Sequence, residues 1–385
     1  MGLHRALHPH ARGGRQPQLD GTLRPQRVPA RDRGRDDQPQ RATRSMVDDG
    51  IGRRVDDGDD TGAQRRLRTM SRVRVAIDVT SLIGPPTGIH QVTRALIGAL
   101  RARDDVAVRG WLLTARGERP DLGFPVRRSR VPASVALAGW ARSGFPPGRF
   151  VAGEADVVHG TNFIAPPNPR SVITLQDMTP IAHPEWCEPA VQAMAGAIRR
   201  AVRRGATLHV TSDLVRREAI AEFGLTDERV RLVHHAVTPL TGGDDQLGRR
   251  IAGGPYLLVL GRVERRKNVA AAVEALHALP DDLRLVVAGP SGNDDEAVDA
   301  AISRHRAGRV LRLPELSDHD RTSLVGGADA LLWPSHYEGF ALPPLEALSI
   351  GTPVVATATG ALPELIGDTV PLVAPGDPDA FTEAI

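Results

Sequence analysis

Short apolar runs alternate with amphipathic segments of helical length along the chain, beginning near residue 70. The runs VRVAIDV, ADVVHG, SVITLQD, ATLHVTS and RVRLVHH have the length and β-branched content of buried strands. Helical periodicity separates them, most clearly over residues 87–102, 189–204 and 214–223. Strands that alternate with helices predict βαβ units, in which helices cover both faces of a parallel sheet.

A polar stretch, TPLTGGDDQLGRR, interrupts this alternation, which then restarts with PYLLVLG and continues through LRLVVAG, RVLRLP, ADALLWP and TPVVATA. The sequence therefore predicts an α/β protein with two doubly wound parallel-sheet (Rossmann-like) domains that face each other across a cleft. We expect the first domain over residues 71–240, a linker over 241–254 and the second domain over 255–385. Open parallel sheets bind ligands beyond the carboxyl ends of their strands, so the chemistry is expected in the loops there.

Residues 1–70 differ in composition, with 15 arginines, 10 aspartates and no aromatic residue. Such a segment cannot bury enough apolar surface to offset its chain entropy, so it is predicted to be disordered. Two explanations stay open: a start assigned too far upstream, with Met46 or Met70 as the true start, or a basic tethering tail. The whole chain has a net charge of +3, so the part after residue 70 is nearly neutral, at −2, which argues against nucleic-acid binding.

The chain has no apolar stretch near the ~20 residues that a membrane-spanning helix needs. Its N-terminus also lacks the apolar core of a secretory signal, so the expected location is the cytoplasm. Mild basic patches leave a peripheral contact with the inner face of the membrane open. The single cysteine, Cys187, cannot form an internal disulfide.

Lys267 is the only lysine of the chain, beside 48 arginines. It follows the predicted strand PYLLVLG within the run GRVERRKN, which opens into a helix and also contains Gly261 and Arg262. The compact ammonium of lysine can bind a phosphate oxygen in a tight site, and the larger, planar guanidinium of arginine cannot replace it there. Arg262 is expected to bind a diphosphate with two parallel hydrogen bonds. These residues predict an anion site.

Two glutamates eight positions apart, Glu338 and Glu346, lie in the run SHYEGFALPPLEAL, where a strand turns into a helix. Glu338 precedes the helix start and is expected to face a ligand, and Glu346 lies about two turns further on and is expected to bind a ribose diol. The N–H groups at such a start have no partner in the helix and can hold an anion. In this chain they belong to Phe340, Ala341 and Leu342, which follow Gly339.

These motifs resemble the retaining glycosyltransferases of family 4, which have the GT-B fold. The resemblance rests on GRVERRKN, LRLVVAG, ADALLWPSHYEGFALPPLEAL and GTPVVATATGALPELIGD, and it runs from about residue 72 to the end. The earlier segments IGPPTGIHQVTRAL, DVVHGTNF, VITLQDMTPIAHPE and VTSDLVRREAIAEFG look like the mannosyltransferase-type members. The resemblance implies transfer of a hexose, mannose by preference, from a nucleotide-diphosphate sugar to a glycan or lipid-linked acceptor.

The resemblance also implies roles for particular residues. Arg262 and Lys267 match the positions that hold the donor diphosphate. Glu338 matches the glutamate that contacts the donor sugar, and Glu346 the one that contacts the ribose. Gly88, expected in the loop after the first strand, matches the glycine that lets the backbone approach the phosphate.

Two further residues, His159 and Asp177, are expected in acceptor-side loops after strands, where either could position or deprotonate an acceptor hydroxyl. The resemblance implies that no metal and no cofactor is needed, since Arg262, Lys267 and helix N-termini would neutralise the diphosphate.

The sequence departs from the family pattern at three places. Gln176 precedes Asp177 where the family often has a histidine, and LVHHAV replaces a frequent Pro-Asn-Gly, with His234 and His235 expected as loop or core residues. The family also continues beyond a segment like PGDPDAFTEAI, so we expect either a fragment or weakened packing between the domains. Two other functions stay open. One is a truncated, non-catalytic nucleotide-binding relative. The other is a glycan phosphorylase with pyridoxal phosphate on Lys267, because the phosphorylases share this two-domain architecture and the chain has a single lysine.

Overall fold

The computed structural model describes residues 72–83, 87–114, 120–314 and 316–385. All of these lie in one compact unit, Ala63–Ile385. The prediction made for residues 1–70 falls outside the described residues. Within the described part, the chain forms two parallel sheets with helices on both faces, so the predicted fold class is confirmed.

The first sheet has seven strands in the order β3-β2-β1-β4-β5-β6-β7, and all of its strand pairs are parallel. Its strands are β1 (Val73–Asp78), β2 (Val106–Leu112), β3 (Val126–Arg128), β4 (Val157–Gly160), β5 (Ser171–Leu175), β6 (Thr207–Val210) and β7 (Val230–Leu232). The helices of this half are α1 (Gly88–Arg101), α2 (Ala133–Arg142), α3 (Gly148–Ala152), α4 (Thr179–Ala182), α5 (Pro189–Gln192), α6 (Met194–Arg203) and α7 (Asp213–Phe223).

The second sheet has six strands in the order β10-β9-β8-β11-β12-β13, again all parallel. Its strands are β8 (Tyr256–Leu260), β9 (Arg284–Ala288), β10 (Val310–Leu313), β11 (Ala330–Trp333), β12 (Val354–Thr357) and β13 (Leu372–Val373). The helices of this half are α8 (Asp245–Ala252), α9 (Val269–Ala275), α10 (Asp295–Ile302), α11 (Asp318–Gly327), α12 (Leu342–Ser349), α13 (Leu362–Ile366) and α14 (Pro378–Ala384).

The strands are apolar on both faces because each sheet lies between two layers of helices. In β1, Ala76 and Ile77 are both fully buried but belong to different hydrophobic clusters, one on each side of the sheet. All five residues of β8 are buried, and they too divide between two clusters. A strand buried on both faces reads as a continuous apolar run, which is how these segments appear in the sequence.

The stretch predicted to be a linker, residues 241–254, contains the eight-residue helix α8. Its sequence is polar, but it contains residues that cap both ends of the helix. The side chain of Asp244 accepts a hydrogen bond from the Gln246 N–H at the start, and Gly253 takes the left-handed conformation at the end. The helix packs against α11 of the second half. The exact domain boundaries stay a prediction.

The two halves meet where the loop after β11 lies against the loops after β5 and β6. A Cβ atom at Gly339 would lie 1.9 Å from the Gln176 carbonyl oxygen, so the two backbones touch there. The Thr211 hydroxyl donates to the Gly339 carbonyl at 3.2 Å, and the Tyr337 hydroxyl donates to Glu218 at 2.5 Å. This contact requires glycine at position 339.

A second contact between the halves is electrostatic. The Glu364 carboxylate, at the start of α13, accepts hydrogen bonds from the N–H groups of Asp213 at 2.8 Å and Leu214 at 3.2 Å. These N–H groups open α7, so a carboxylate of the second half caps a helix of the first. His234 lies 3.0 Å from the same carboxylate.

We predict that Gly339→Ala destabilises the protein by about 1–3 kcal/mol, because the added methyl group overpacks the contact with Gln176. Gly98→Ala is the matched control, since a Cβ atom there meets nothing within 4 Å and α1 is expected to gain about 0.5–1 kcal/mol. Thermal unfolding of the two variants measures both effects. Equal stability of the two would contradict the tight contact.

Candidate active site

The two loops that the sequence singles out follow neighbouring strands of the second sheet. β8 and β11 pair directly, and the strand order runs outward in opposite directions from them, so the crevice of a doubly wound sheet lies at this point. The loop over residues 261–268 follows β8, and the loop over residues 334–341 follows β11. The His336 N–H donates to the Arg266 carbonyl at 2.8 Å, which joins the two loops.

Lys267 lies against the backbone at the end of β8. Gly261 has a φ of +128°, and a Cβ atom there would lie 2.5 Å from the Lys267 Nζ. The same nitrogen lies 5.6 Å from the centre of the Trp333 ring, within the range of a cation–π contact. Burial lowers the pKa of Lys267, and the carboxylate of Glu264 opposes part of this shift. The structure therefore holds a compact cation at the carboxyl end of the strand.

Arg262 extends from the same loop toward the first half of the chain. Its Nη1 lies 2.9 Å from the Glu188 Oε1, and both side chains are about half exposed. An exposed pair of this kind contributes little to stability. An anionic ligand can therefore replace Glu188 as the partner of the Arg262 guanidinium at little cost to the stability of the fold.

Arg266, which the sequence analysis did not single out, forms a buried ion pair with Glu338. The Arg266 Nη1 and the Glu338 Oε2 are 2.5 Å apart, and the two side chains are 15% and 6% exposed. The Ser335 hydroxyl donates to the other oxygen of Glu338 at 2.9 Å. Burial lowers the pKa of Arg266, but Glu338 and Asp177 raise it more, so the net shift is upward. Glu338 is thus fixed by hydrogen bonds to both oxygens.

The loop after β11 is close-packed and strained. A Cβ atom at Gly360 would lie 2.2 Å from the Glu338 carbonyl oxygen, so the backbone of the next loop lies directly against it. Ala341 has a φ of +64° and Asn268 has a φ of +52°, and each stands at the N-terminal end of the helix that follows its loop. Non-glycine residues adopt this region at a cost, and such strain is common at functional sites.

Glu346 lies on α12, where it is 4% exposed and pairs with Arg321 of α11. This pairing also escaped the sequence analysis, because nothing in the sequence marks Arg321 among 48 arginines. Glu338 and Glu346 therefore share one arrangement: each is a buried carboxylate held by an arginine of a neighbouring element. Phe340, Ala341 and Leu342 lie between them at the start of the helix, as predicted.

Gly88 begins α1 instead of lying in the preceding loop, which corrects the expected position. The helix starts there because the Thr87 hydroxyl accepts the N–H of His90 at 3.3 Å. A Cβ atom at Gly88 would lie 3.2 Å from a methyl carbon of Leu342. The structure therefore brings Gly88 of the first half to the helix start that follows Glu338.

Asp177 follows β5, as expected, and lies close to the site. Its Oδ1 accepts hydrogen bonds from the Thr179 N–H at 2.9 Å and the Thr179 hydroxyl at 2.5 Å. Burial raises the pKa of Asp177, and the guanidinium of Arg266 opposes part of this rise. A Cβ atom at Gly339 would lie 2.7 Å from the Cβ of Asp177, which places this carboxylate beside the loop of Glu338.

His159 was expected in a loop, but it lies within β4. Its Nε2 is 2.8 Å from the Thr174 hydroxyl of the neighbouring strand, and burial lowers its pKa to about 3. The predicted strand ADVVHG already included His159, and the pairing of Gly160 with Ile173 confirms that the strand runs past it. The structure therefore places His159 in the sheet, away from the loops that carry the two glutamates.

His234 and His235 lie at the contact between the two halves. The His235 ring is 5.0 Å from the Phe340 ring, and its Nε2 is 2.8 Å from the Gln176 side-chain oxygen. Burial lowers the pKa of His235 to about 4. The sequence signal for this contact was the departure LVHHAV itself, whose two histidines were expected only as loop or core residues.

In the part of the chain that the structure describes, no group of three or more His, Cys, Asp and Glu side chains is placed to hold a metal ion. No helix among these residues is both long enough and apolar enough to span a membrane.

Comparison with known sequences identifies a matching family model and several relatives. Residues 248–385 match the family model "Glycosyl transferases group 1". O-antigen chain mannosyltransferase B of Escherichia coli is 30% identical over 248 residues, which cover 60% of this chain and 64% of the relative. D-inositol 3-phosphate glycosyltransferase of Mycobacterium sp. (strain JLS) is 31% identical over 193 residues, which cover 48% and 44%. The chain thus spans less than two thirds of the length of these relatives.

Solved structures share the two-sheet arrangement. WaaG, a glycosyltransferase involved in lipopolysaccharide biosynthesis, matches with a TM-score of 0.61 and 19% identity, over 80% of this chain and 89% of WaaG. HepE of Anabaena, solved in complex with UDP-glucose, matches with a TM-score of 0.59 and 16% identity, over 81% and 88%. At this level of identity the likeness shows the fold, which is GT-B.

We predict that Arg266→Met destabilises the protein by about 3–5 kcal/mol, because it leaves the buried Glu338 carboxylate without its partner. Chemical unfolding measures the loss, and Arg265→Met, at the exposed neighbouring position, is the matched control. The double variant Arg266→Met/Glu338→Gln should recover a large part of the loss. A single variant as stable as the control would argue against the ion pair.

A second prediction concerns pH. The pKa of His159 is about 3 in the folded protein and about 6.5 in the unfolded chain, so the unfolded state binds a proton first as the pH falls. Stability should therefore fall with pH below 6.5, by up to about 2 kcal/mol for this histidine between pH 6.5 and pH 5. His159→Gln should show a shallower decline, and His319→Gln, at an exposed position, should not. Unfolding midpoints at pH 7 and pH 5 provide the measurement.

Proposed function

We propose that this protein is a retaining glycosyltransferase of the family 4 type, which moves a hexose from a nucleotide-diphosphate sugar to an acceptor hydroxyl. The observation that carries the proposal is the meeting of two loops at the ends of β8 and β11. One loop carries Arg262 and Lys267, and the other carries Glu338 and leads to Glu346. The family match of residues 248–385 covers both loops and supports the same activity.

The proposed donor site has a cationic side for the diphosphate. Charge develops on the leaving diphosphate, so preorganised positive groups there stabilise the transition state. Lys267 supplies a partly desolvated ammonium, and Arg262 supplies a guanidinium once the ligand displaces Glu188. Backbone N–H groups at the start of α12 add to this field. These groups can neutralise the charge of the diphosphate, as a bound metal ion does in other transferases. We therefore propose that the reaction needs neither a metal nor another cofactor.

The sugar and the ribose would bind to the two buried carboxylates. Glu338 is held on both oxygens, by Arg266 and by Ser335, so it offers its remaining lone pairs to donor sugar hydroxyls in a fixed direction. Glu346, held by Arg321, would accept hydrogen bonds from the ribose diol. Gly88 would let the backbone of the first half approach the phosphates from the other side.

We assign the acceptor side to the first half of the chain. Asp177 lies beside the loop of Glu338 and its pKa is raised, which suits a group that positions an acceptor hydroxyl. His159 is a weaker candidate for the same role because it is hydrogen-bonded within the sheet. The leaving diphosphate would itself help to take the acceptor proton, on the face of the sugar where the acceptor arrives.

The names of relatives support the proposed classes of sugar, acceptor and donor, but do not identify the individual substrates. The name of the Escherichia coli O-antigen chain mannosyltransferase B supports mannose as the sugar and a glycan as the acceptor, and the HepE complex with UDP-glucose supports a nucleotide sugar as the donor. A lipid-linked acceptor is proposed from the sequence resemblance alone. The cytoplasmic location stays a prediction from the sequence. A non-catalytic nucleotide-binding protein and a pyridoxal phosphate enzyme are the alternatives, and the following experiment separates them.

We predict that Lys267→Ala lowers kcat/KM by a factor of about 10²–10³, which corresponds to a loss of about 3–4 kcal/mol from one transition-state donor. Calorimetry with GDP, UDP and ADP identifies the nucleotide first, and turnover is then measured with the matching sugar donor. Arg265→Ala, in the same loop but exposed, is the matched control.

Three outcomes would count against the proposal. Near-normal turnover of Lys267→Ala would remove Lys267 from the catalytic machinery. Nucleotide binding by the unaltered protein without any transfer would favour the non-catalytic alternative. An absorbance band of an aldimine, lost in Lys267→Ala, would favour pyridoxal phosphate.

A further inference from the structure

A short segment of the first half contacts the loop that carries Arg262. It comprises residues 183–192, which we call the strap, and it ends with the helix α5. The side chain of Gln192 donates hydrogen bonds to the carbonyls of Pro184 at 2.8 Å and Cys187 at 2.9 Å, so the strap is held together as one piece. The structure describes every residue of the strap, and none of them is buried. A segment with so little buried surface can be released without unfolding the rest of the chain.

Polar and aromatic contacts hold the strap on the second half. Its Glu188 carboxylate pairs with the Arg262 guanidinium at 2.9 Å. The Asn293 Nδ2 donates to the Trp186 carbonyl at 2.8 Å. The Trp186 ring also stacks with the His336 ring, with 6.2 Å between the ring centres and 24° between the ring planes. The strap therefore contacts the loop after β8 and the loop after β11, which together form the candidate site.

The pair of Glu188 and Arg262 places a carboxylate on the guanidinium that we assign to the donor diphosphate. A guanidinium uses the same N–H groups to bind a carboxylate or a phosphate, so the two partners compete for it. The two side chains are about half exposed, and an ion pair of this kind is weak. A diphosphate carries more charge than Glu188 and would also reach Lys267 in the proposed site. We therefore expect the diphosphate to displace Glu188.

We propose that the strap is an autoinhibitory contact of the donor site: Glu188 and the donor diphosphate compete for Arg262, and a bound diphosphate releases the strap from the second half. This inference rests on the proposed function, because it takes Arg262 as a ligand of the diphosphate. It adds a means of regulating that site. The strap belongs to the half that we assign to the acceptor, so its release changes the acceptor side only once a donor is in place.

The first test is calorimetric titration of the full chain with inorganic pyrophosphate, which presents a diphosphate without a base or a sugar. Glu188→Gln should bind pyrophosphate about two- to five-fold more tightly than the unaltered protein, because an exposed ion pair opposes binding by about this factor. Glu185→Gln is the matched control. It removes the same charge from an exposed position of the strap, where the carboxylate lies 3.3 Å from His183, and it should bind like the unaltered protein.

The second test uses Cys187, the only cysteine of the chain, as a probe of the release. It lies next to Glu188 and is partly buried, with its Sγ 3.8 Å from the His183 carbonyl oxygen. Iodoacetamide should alkylate Cys187 faster when pyrophosphate is bound, because release of the strap exposes the sulfur. Without pyrophosphate, Glu188→Gln should already react faster than Glu185→Gln. Thermal unfolding checks that both variants remain folded.

The outcomes separate the strap from the proposed donor site. Equal affinity of Glu188→Gln and Glu185→Gln for pyrophosphate would overturn the strap and leave the donor site standing. Alkylation that pyrophosphate slows or leaves unchanged would do the same. No binding of pyrophosphate by the unaltered protein or by either variant would overturn both. Tighter binding by Glu188→Gln, in a protein that transfers no sugar, would support the strap while the proposed transfer reaction fails.

Discussion

The buried ion pair of Arg266 and Glu338 holds the candidate site together. Burying two charges costs free energy unless nearly all their hydrogen-bonding groups are used. Here the carboxylate has a partner on each oxygen, and the guanidinium also bonds to the Tyr337 carbonyl at 2.9 Å and to Glu264 at 3.1 Å. The loops after β8 and β11 are therefore joined into one unit, in which the Glu338 carboxylate, the proposed ligand of the donor sugar, has a fixed direction.

This unit extends to a third loop and to the other half of the chain. The Ser335 carbonyl accepts hydrogen bonds from the hydroxyls of Thr357 at 2.6 Å and Thr359 at 2.9 Å, which ties the end of β12 to the network. Gly339 touches the backbone of the first half, so that half packs on a surface whose shape the ion pair fixes. Ligand groups that bind between the halves would thus meet one preorganised wall.

The sequence predicted the parts of this arrangement that local patterns encode. Strands buried on both faces appear as apolar runs, so both sheets could be predicted. Lys267 stood out because it is the only lysine, and Glu338 because it lies where a predicted strand turns into a helix. Arg266 and Arg321 did not, because the sequence does not say which of 48 arginines meets a buried carboxylate. His159 was misplaced for another reason: it was assigned to an acceptor-side loop although the run ADVVHG already put it in a strand, where it pairs with Val172.

The structure also gives a physical reason why the chain has its one lysine at position 267. The ammonium occupies space that Gly261 leaves free, with its nitrogen 2.5 Å from where a Cβ atom would stand and 5.6 Å from the centre of the Trp333 ring. A planar guanidinium is wider than an ammonium and carries its five donors in a rigid fork. Arg262 and Arg266, a few residues away, have room for that fork and use it on carboxylates. Steric confinement, in addition to charge, therefore selects lysine here, in a chain that places arginine at its other basic positions.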